Sequence, residues 1–386
     1  MQFDLLVVGA SFAGIACARA AALAGLRVCV IDRKPHAGAQ VHTTGLLVRE
    51  AAEIGWLREM PAALTRAVPQ VCVYAPSMRH VRLRAPGYHF LATDTPALLQ
   101  WMEAQARQLG VVFCWGLPLR TLHRNAHGCT VNEVMHARYL VGADGPHSKV
   151  ARLAGLSTNT QFLSGVELEF AGAELHDPQA LHCLVDRQLA PGYIGWALQG
   201  VGLVQLGLAR RHVPGQPPDV QALLDKLAPL VRQRDVRPSG TRAGLIPCGG
   251  VLPQLFGPGV LLVGDAAGMV SPLTAGGIHR ALACGAVAGE AVGHWLRGRG
   301  PQPDAWLARH YPRFGFKRAL RWGYDHLQSD LVTEWALGSR LLRAAIGRLY
   351  FHRRSLTTAV QYTPEESPFS APRCAPPSAP GFRSRR

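Results

Sequence analysis

Three apolar runs, far apart in the chain, each end in a glycine turn. Leu5-Leu6-Val7-Val8 leads into Gly9-Ala10-Ser11-Phe12-Ala13-Gly14. Tyr139-Leu140-Val141 leads into Gly142-Ala143-Asp144-Gly145. Val260-Leu261-Leu262-Val263 leads into Gly264-Asp265-Ala266-Ala267-Gly268. Short continuous apolar runs are the pattern of strands buried on both faces of a parallel sheet. The glycines let backbone approach a ligand where a side chain would block it. Together the turns read as three contacts with one long phosphate-bearing molecule.

The first turn is the most explicit. Residues 15–24, rich in alanine, read as a helix closed by Gly25. A second strand over 27–31 ends at Asp32, close to twenty residues beyond the glycines, where an acidic side chain holds a ribose hydroxyl. Helix N-terminal amides and the helix dipole favour a pyrophosphate at Gly9, Ser11 and Gly14. Ser11 stands where the fingerprint prefers glycine, a small departure. Arg33 follows Asp32 at the strand end and joins the cofactor-binding candidates. Three such turns in this order and spacing point to FAD. With Asp4 before the apolar run and no positive segment ahead of it, the N-terminus does not read as a secretion signal.

A chain of 386 residues, 48% of them hydrophobic, can bury one large core or two lobes sharing an interface. No apolar stretch reaches the length of a spanning helix. The nine cysteines are scattered, with no Cys-x-x-Cys pair, and read as reduced thiols in a cytoplasmic protein with no metal site. A net charge of +16 could attract nucleic acid, an anionic membrane face or an anionic cofactor. No nucleic-acid module is present, so nucleic acid is not an expected partner.

The periodicity predicts a helix from 46 to about 64, a half-exposed hairpin over 71–84, and a helix over 95–110 with Thr95 as N-cap. Strands of an antiparallel sheet follow over 162–210, then a helix near 219–232. The chain is expected to return to the first lobe at 245–250, followed by a long helix over 278–297 and further helices to 360. The fold class is therefore α/β with two lobes: a Rossmann-like FAD-binding domain (1–70, 90–160 and 245–300) carrying an inserted antiparallel sheet for substrate (71–89 and 161–244). C-terminal helices (301–363) and a disordered Pro- and Ser-rich tail (364–386) complete it.

Over roughly residues 3–300 the chain resembles flavin enzymes of the para-hydroxybenzoate hydroxylase type, most closely the geranylgeranyl reductase-like branch. The stretch from Gly142 to Ser148 with Arg152 resembles that superfamily's second cofactor motif. Residues 246–250, Gly264 to Gly268, Ser271-Pro272-Leu273-Thr274 and Gly276-Gly277-Ile278 resemble the third. Pro191-Gly192-Tyr193 with Gly195-Trp196 is similar to the Pro-Gly-Gly-Tyr-Gly-Trp segment of the reductases, although Leu198-Gln199 replaces its usual Phe-Pro. The resemblance implies that Asp265 holds the ribityl chain, with Asp144 and Gly145 supporting the phosphate and ribityl region. It also makes Arg49 a phosphate contact and places the amides of Gly276, Gly277 and Ile278 toward the flavin ring, with Gly264 in the same turn as Asp265.

The implied reaction is hydride delivery from FAD, reduced by NAD(P)H or another donor, to a double bond of an isoprenoid or related lipid. The alternative is an FAD-dependent monooxygenase acting on an aromatic or polyketide-like substrate. The Trp-x-Trp-x-Ile-Pro signature of halogenases is missing. Prenyl reductases often carry a cysteine near the flavin; Thr43 stands there, which leaves His42 as the candidate proton donor. Tyr193 and Trp196 are expected to wall a pocket for a hydrophobic substrate. Leu341, Leu342, Ala345, Ile346 and Leu349 form an apolar stripe among arginines, so peripheral contact with the inner face of a membrane is a further expectation.

Overall fold

The computed structural model describes residues 1–125, 127–233 and 236–339. The tail expected at 364–386 and the apolar stripe expected at 341–349 lie outside the described residues. The helices are α1 (Phe12–Leu23), α2 (Arg49–Ala52), α3 (Thr95–Gln108), α4 (Lys149–Ala154), α5 (Val220–Leu227), α6 (Ile278–Leu296), α7 (Pro303–His310), α8 (Gly315–Leu327) and α9 (Asp330–Gly338).

One sheet runs in the order Phe256–Gly257, Val260–Leu262, Met135–Gly142, Gln2–Val8, Val28–Ile31, Val112–Cys114. Its five long-range neighbours from Val260–Leu262 onward pair in parallel. Val8 lies beside Gly142, and Gly142 beside Leu262, so the three apolar runs end level with one another on adjacent strands. The turns therefore leave the sheet together at its C-terminal rim, where open α/β sheets bind ligands.

Helices α1 and α6 of this lobe are fixed against each other by glycines. A Cβ on Gly285 would lie 2.3 Å from the Ala13 carbonyl oxygen, and one on Gly289 would lie 2.1 Å from that of Cys17. Gly293 is as tight, 2.4 Å from the Ala24 Cβ. These contacts advance in the same direction along both chains, so α1 and α6 run parallel with both N-termini at the rim. Ala13 is the second residue of α1 and Gly285 the eighth of α6. At 1.5 Å per residue, α6 begins about 9 Å further out than α1.

The second sheet has seven strands in the order Gly240–Pro247, Phe162–Ala171, Leu203–Arg211, Gly195–Gln199, Ala180–Leu184, Gln70–Tyr74, His80–Arg84. Its outer face packs Phe170, Leu206 and Leu208 on Leu223 and Leu227 of α5. The α5 N-terminus is capped by Asp219, which accepts from the Ala222 amide at 3.0 Å. The opposite face, carrying Leu163, Glu167, Trp196 and Ala209, turns toward the first lobe.

Three expectations change. Residues 46–64 are not one helix: Leu46–Val48 is a strand in a small three-stranded sheet with Phe90–Thr93 and Thr65–Val68, and only α2 and short 3-10 turns lie between. The chain does not re-enter the first lobe at 245. Gly240–Pro247 is the edge of the second sheet, paired with Phe162 to Glu169, and Pro247 is tolerated there at the strand end. Asp94, not Thr95, caps α3, accepting from the Ala97 amide at 3.1 Å.

Candidate cofactor and substrate site

The glycines of the three turns divide into two kinds. Gly9 (φ +105°) is jammed between turns: a Cβ there would sit 2.2 Å from the Ala143 carbonyl oxygen. Gly14 closes on Gly9 itself, 1.8 Å from its carbonyl oxygen, and Gly264 on Ala13. These residues weld the first turn to the second and third. Gly145 (φ +83°) instead faces open space, and Gly276 meets only the Thr274 hydroxyl at 3.4 Å. Asn159 adds a stitch, its side-chain amide donating to the Pro146 carbonyl at 3.1 Å and the Asp265 carbonyl at 2.9 Å.

The helix ends are arranged for a ligand. No side chain caps α1 at Ser11 or α6 at Gly277, so their first amides remain available at the rim. By contrast, Ser148 caps α4 through the Ala151 amide at 2.9 Å. Asp144 is spent on the same helix: its carboxylate accepts from the Ser148 hydroxyl at 2.6 Å, the Lys149 amide at 2.7 Å and the Val150 amide at 3.0 Å. Burial raises the Asp144 pKa, and these hydrogen bonds oppose the rise. Asp144 thus shapes the turn and offers little to a ligand directly.

Asp265 behaves differently. Its carboxylate points toward the start of α6, with Oδ1 3.7 Å from where a Gly277 Cβ would be. Burial alone pushes its pKa up to about 6, with no charge or hydrogen bond offsetting it. A half-buried carboxylate of this kind fits the hydroxyls of a ribityl chain. Asp32 accepts from the Ala10 amide at 2.7 Å and the Lys34 amide at 2.9 Å, which holds it beside the first turn. Arg33 next to it is exposed. The Arg49 guanidinium binds Glu53 at 2.9 Å and the Gly87 carbonyl. The uncapped helix ends, the bare Gly145 and Gly276, and the unpaired demand of Asp265 together fit FAD.

The substrate-side residues sit on the sheet face opposite. The Tyr193 hydroxyl donates to the Thr274 carbonyl at 2.6 Å, tying the sheet lobe to the segment that opens α6. Tyr193 and Trp196 share an apolar cluster with Leu163, Ala209, Ile246 and Ala275. The Trp196 ring covers Gly207, whose Cβ would overlap it at 2.4 Å, and its indole N–H donates to Glu167 at 2.8 Å. His42 lies across Gly244 with Nδ1 2.7 Å from the Ala243 carbonyl. That carbonyl can only accept, so Nδ1 carries hydrogen and the ring donates through Nε2 only as imidazolium.

Sequence reading missed what holds this loop. Arg242 donates to the Thr43 carbonyl and pairs with Glu169, while Gln205 donates to the Thr44 carbonyl at 3.1 Å and to Glu167 at 2.9 Å. Glu167 is buried, which raises its pKa against hydrogen bonds from Thr44 and Trp196 and the charge of Arg242. The alternation of Glu167 and Glu169 places both on one strand face, the one available signal. Nothing local shows that they face a loop over a hundred residues earlier.

Comparison with known proteins agrees with this geometry. The FAD binding domain family matches residues 2–303. A digeranylgeranylglycerophospholipid reductase of Methanopyrus kandleri is 28% identical over 312 residues, covering 76% of this chain and 77% of the relative. The crystal structure of a geranylgeranyl bacteriochlorophyll reductase-like protein from Thermoplasma acidophilum superposes with a TM-score of 0.76 at 18% identity, over 91% of this chain and 97% of that one. The flavin-dependent brominase Bmp2 shares the fold with a TM-score of 0.69 at 15% identity, over 90% of this chain and 93% of that one. The chain belongs to the FAD binding domain family, as a geranylgeranyl reductase-like FAD-dependent oxidoreductase.

Proposed function

We propose that the enzyme saturates carbon–carbon double bonds of an isoprenoid lipid, drawing electrons from NAD(P)H or another donor. The observation that carries this reading is the Tyr193–Thr274 hydrogen bond, which sets the apolar wall of the sheet against the start of α6. Bound FAD supplies two-electron redox chemistry with hydride as the transferred species. The chain's own residues position and desolvate. Leu163, Ala209 and Ile246 offer an apolar floor with Tyr193 and Trp196 as flat walls, suited to a polyprenyl chain and to excluding water. Asp265 and the α6 amides orient the cofactor. His42, bonded to the Ala243 carbonyl beside the Thr43 carbonyl that Arg242 holds, is our candidate for giving a proton to the second carbon. A relative that reduces a geranylgeranylated phospholipid supports a lipid substrate. Among the described residues no helix is long and apolar enough to cross a membrane, so this reading has the enzyme on the cytoplasmic side, meeting lipid at the inner face.

The test is to reduce the flavoprotein anaerobically and add a geranylgeranyl lipid in detergent. Recovery of the oxidised flavin spectrum with saturated lipid as product supports the reading. Reduced flavin that ignores prenyl lipids, yet hydroxylates a phenol under air, would establish the monooxygenase instead.

A further inference from the structure

Helix α8 has two unlike faces. Its inner face grips the substrate-side segment: the Tyr324 hydroxyl donates to the Tyr193 carbonyl at 3.1 Å, and Gln328, just past its end, accepts from the Gly192 amide at 2.7 Å. Arg321 is buried on that face and pairs with Asp325, which also meets Arg211 at 3.6 Å. The outer face carries Phe316, Leu320 and Leu327 at i, i+4 and i+11, one stripe of a helix. Phe316 is 77% exposed and Leu327 75%, and on α9 Leu331 is 82% and Trp335 70% exposed. Trp322 of α8 is also exposed. Large apolar and aromatic side chains left exposed on two successive helices mark an interaction surface.

The charges around it select the partner. All three carboxylates of α8 and α9 are turned to the body: Asp325 to Arg321, Asp330 to the Arg187 amide at 2.8 Å, and Glu334 to the Ser77 amide at 2.8 Å. Arg313, three residues before Phe316, is exposed, whereas Arg318 lies on the other side of α8 with its stem near Gly250. The chain that continues from the end of α9 carries Arg340, Arg343, Arg348, Arg353 and Arg354 and no acidic residue through 354. Apolar and aromatic side chains flanked by cations, with no outward carboxylate, match the interface of an anionic bilayer. We infer that the outer face of α8 and α9 docks on an anionic lipid surface, with the grip on Gly192 and Tyr193 directly behind it. This rests on the lipid-substrate reading for its purpose, but not for its test.

The experiment is sedimentation of the full-length flavoprotein with phosphatidylcholine vesicles, with and without phosphatidylglycerol. The wild type is expected to sediment with the anionic vesicles and to release in high salt. The triple variant Phe316→Ser, Leu331→Ser, Trp335→Ser is expected to bind at least tenfold more weakly, with FAD content and melting temperature unchanged. If the triple variant unfolds, Leu327→Ser with Leu331→Ser alone should still weaken binding severalfold. A wild type that stays in solution, or variants that sediment as it does, would overturn the proposal. So would a dimer dispersed by the variant without any vesicle binding. Detergent-dispersed prenyl lipid should reoxidise the variant's flavin at the wild-type rate. Failure of that step in both proteins, with vesicle binding intact, would sink the substrate reading and leave the docking face standing.

Discussion

Gly285 of α6 presses its bare Cα against the backbone carbonyl of Ala13, the residue that opens the second position of α1; a Cβ there would come within 2.3 Å of that oxygen. This contact sets the two helices parallel and fixes the offset of their N-termini. Pyrophosphate chemistry at one end and ring chemistry at the other both depend on that offset.

Gly285→Val is therefore expected to cost about 1–3 kcal/mol of stability and to weaken FAD binding beyond that loss, because the α6 amides shift relative to α1. Thermal melts with and without FAD measure both effects. A variant with wild-type FAD affinity would separate the helix packing from the cofactor site.

Asp265→Asn should act in opposite directions on the two forms. Burial raises the carboxyl to about 6 in the folded FAD-free protein, above its ordinary value near 4. The folded state then holds the proton more tightly than the unfolded chain, so the carboxylate lowers stability as pH rises through this interval. The variant should melt higher than wild type above pH 6, with the gap closing below about pH 4. Its FAD affinity should fall roughly ten- to hundredfold through loss of a charged hydrogen-bond acceptor. Melting temperatures across this pH range, with FAD titration at neutral pH, decide both.

Asp144→Ala should destabilise the FAD-free and FAD-bound forms alike, by about 1–3 kcal/mol, because three α4 groups lose their acceptor. Denaturant unfolding with and without FAD should give nearly equal losses. A loss confined to the bound form would return Asp144 to the ligand.

Arg242→Gln removes the cation between Glu167 and Glu169 and frees the 42–44 loop. Breaking a buried pair from one side costs about 3–5 kcal/mol. In protein that still folds with FAD, reduction by dithionite should be unchanged, while reoxidation by prenyl lipid slows because His42 is no longer held. Equal reoxidation rates would reduce the clamp to a purely stabilising role.

The sequence carried the parallel sheet and its turns openly, since buried strands are written as apolar runs and the glycines stand where backbone crowds backbone. It also carried α6 to within a residue. The strand Leu46–Val48 was hidden because Leu47, Ala51, Ile54 and Leu57 fall at helical spacing, while its pairing partner lies at 90–93. Gly240–Pro247 was mistaken for a return to the first lobe because its end is apolar like a central strand. The α1–α6 seam was not read from Gly285, Gly289 and Gly293, although they stand four residues apart, because nothing local names the helix they meet. The Arg242 clamp was not legible, because its members meet only through tertiary contact.

Titration of FAD-free protein with FAD, followed by flavin absorbance and fluorescence, tests the convergence of the three turns most directly. The expected result is saturation at one FAD per chain, with affinity lowered in both Gly285→Val and Asp265→Asn. A folded protein that takes up no FAD, or binds it equally well in both variants, would contradict it.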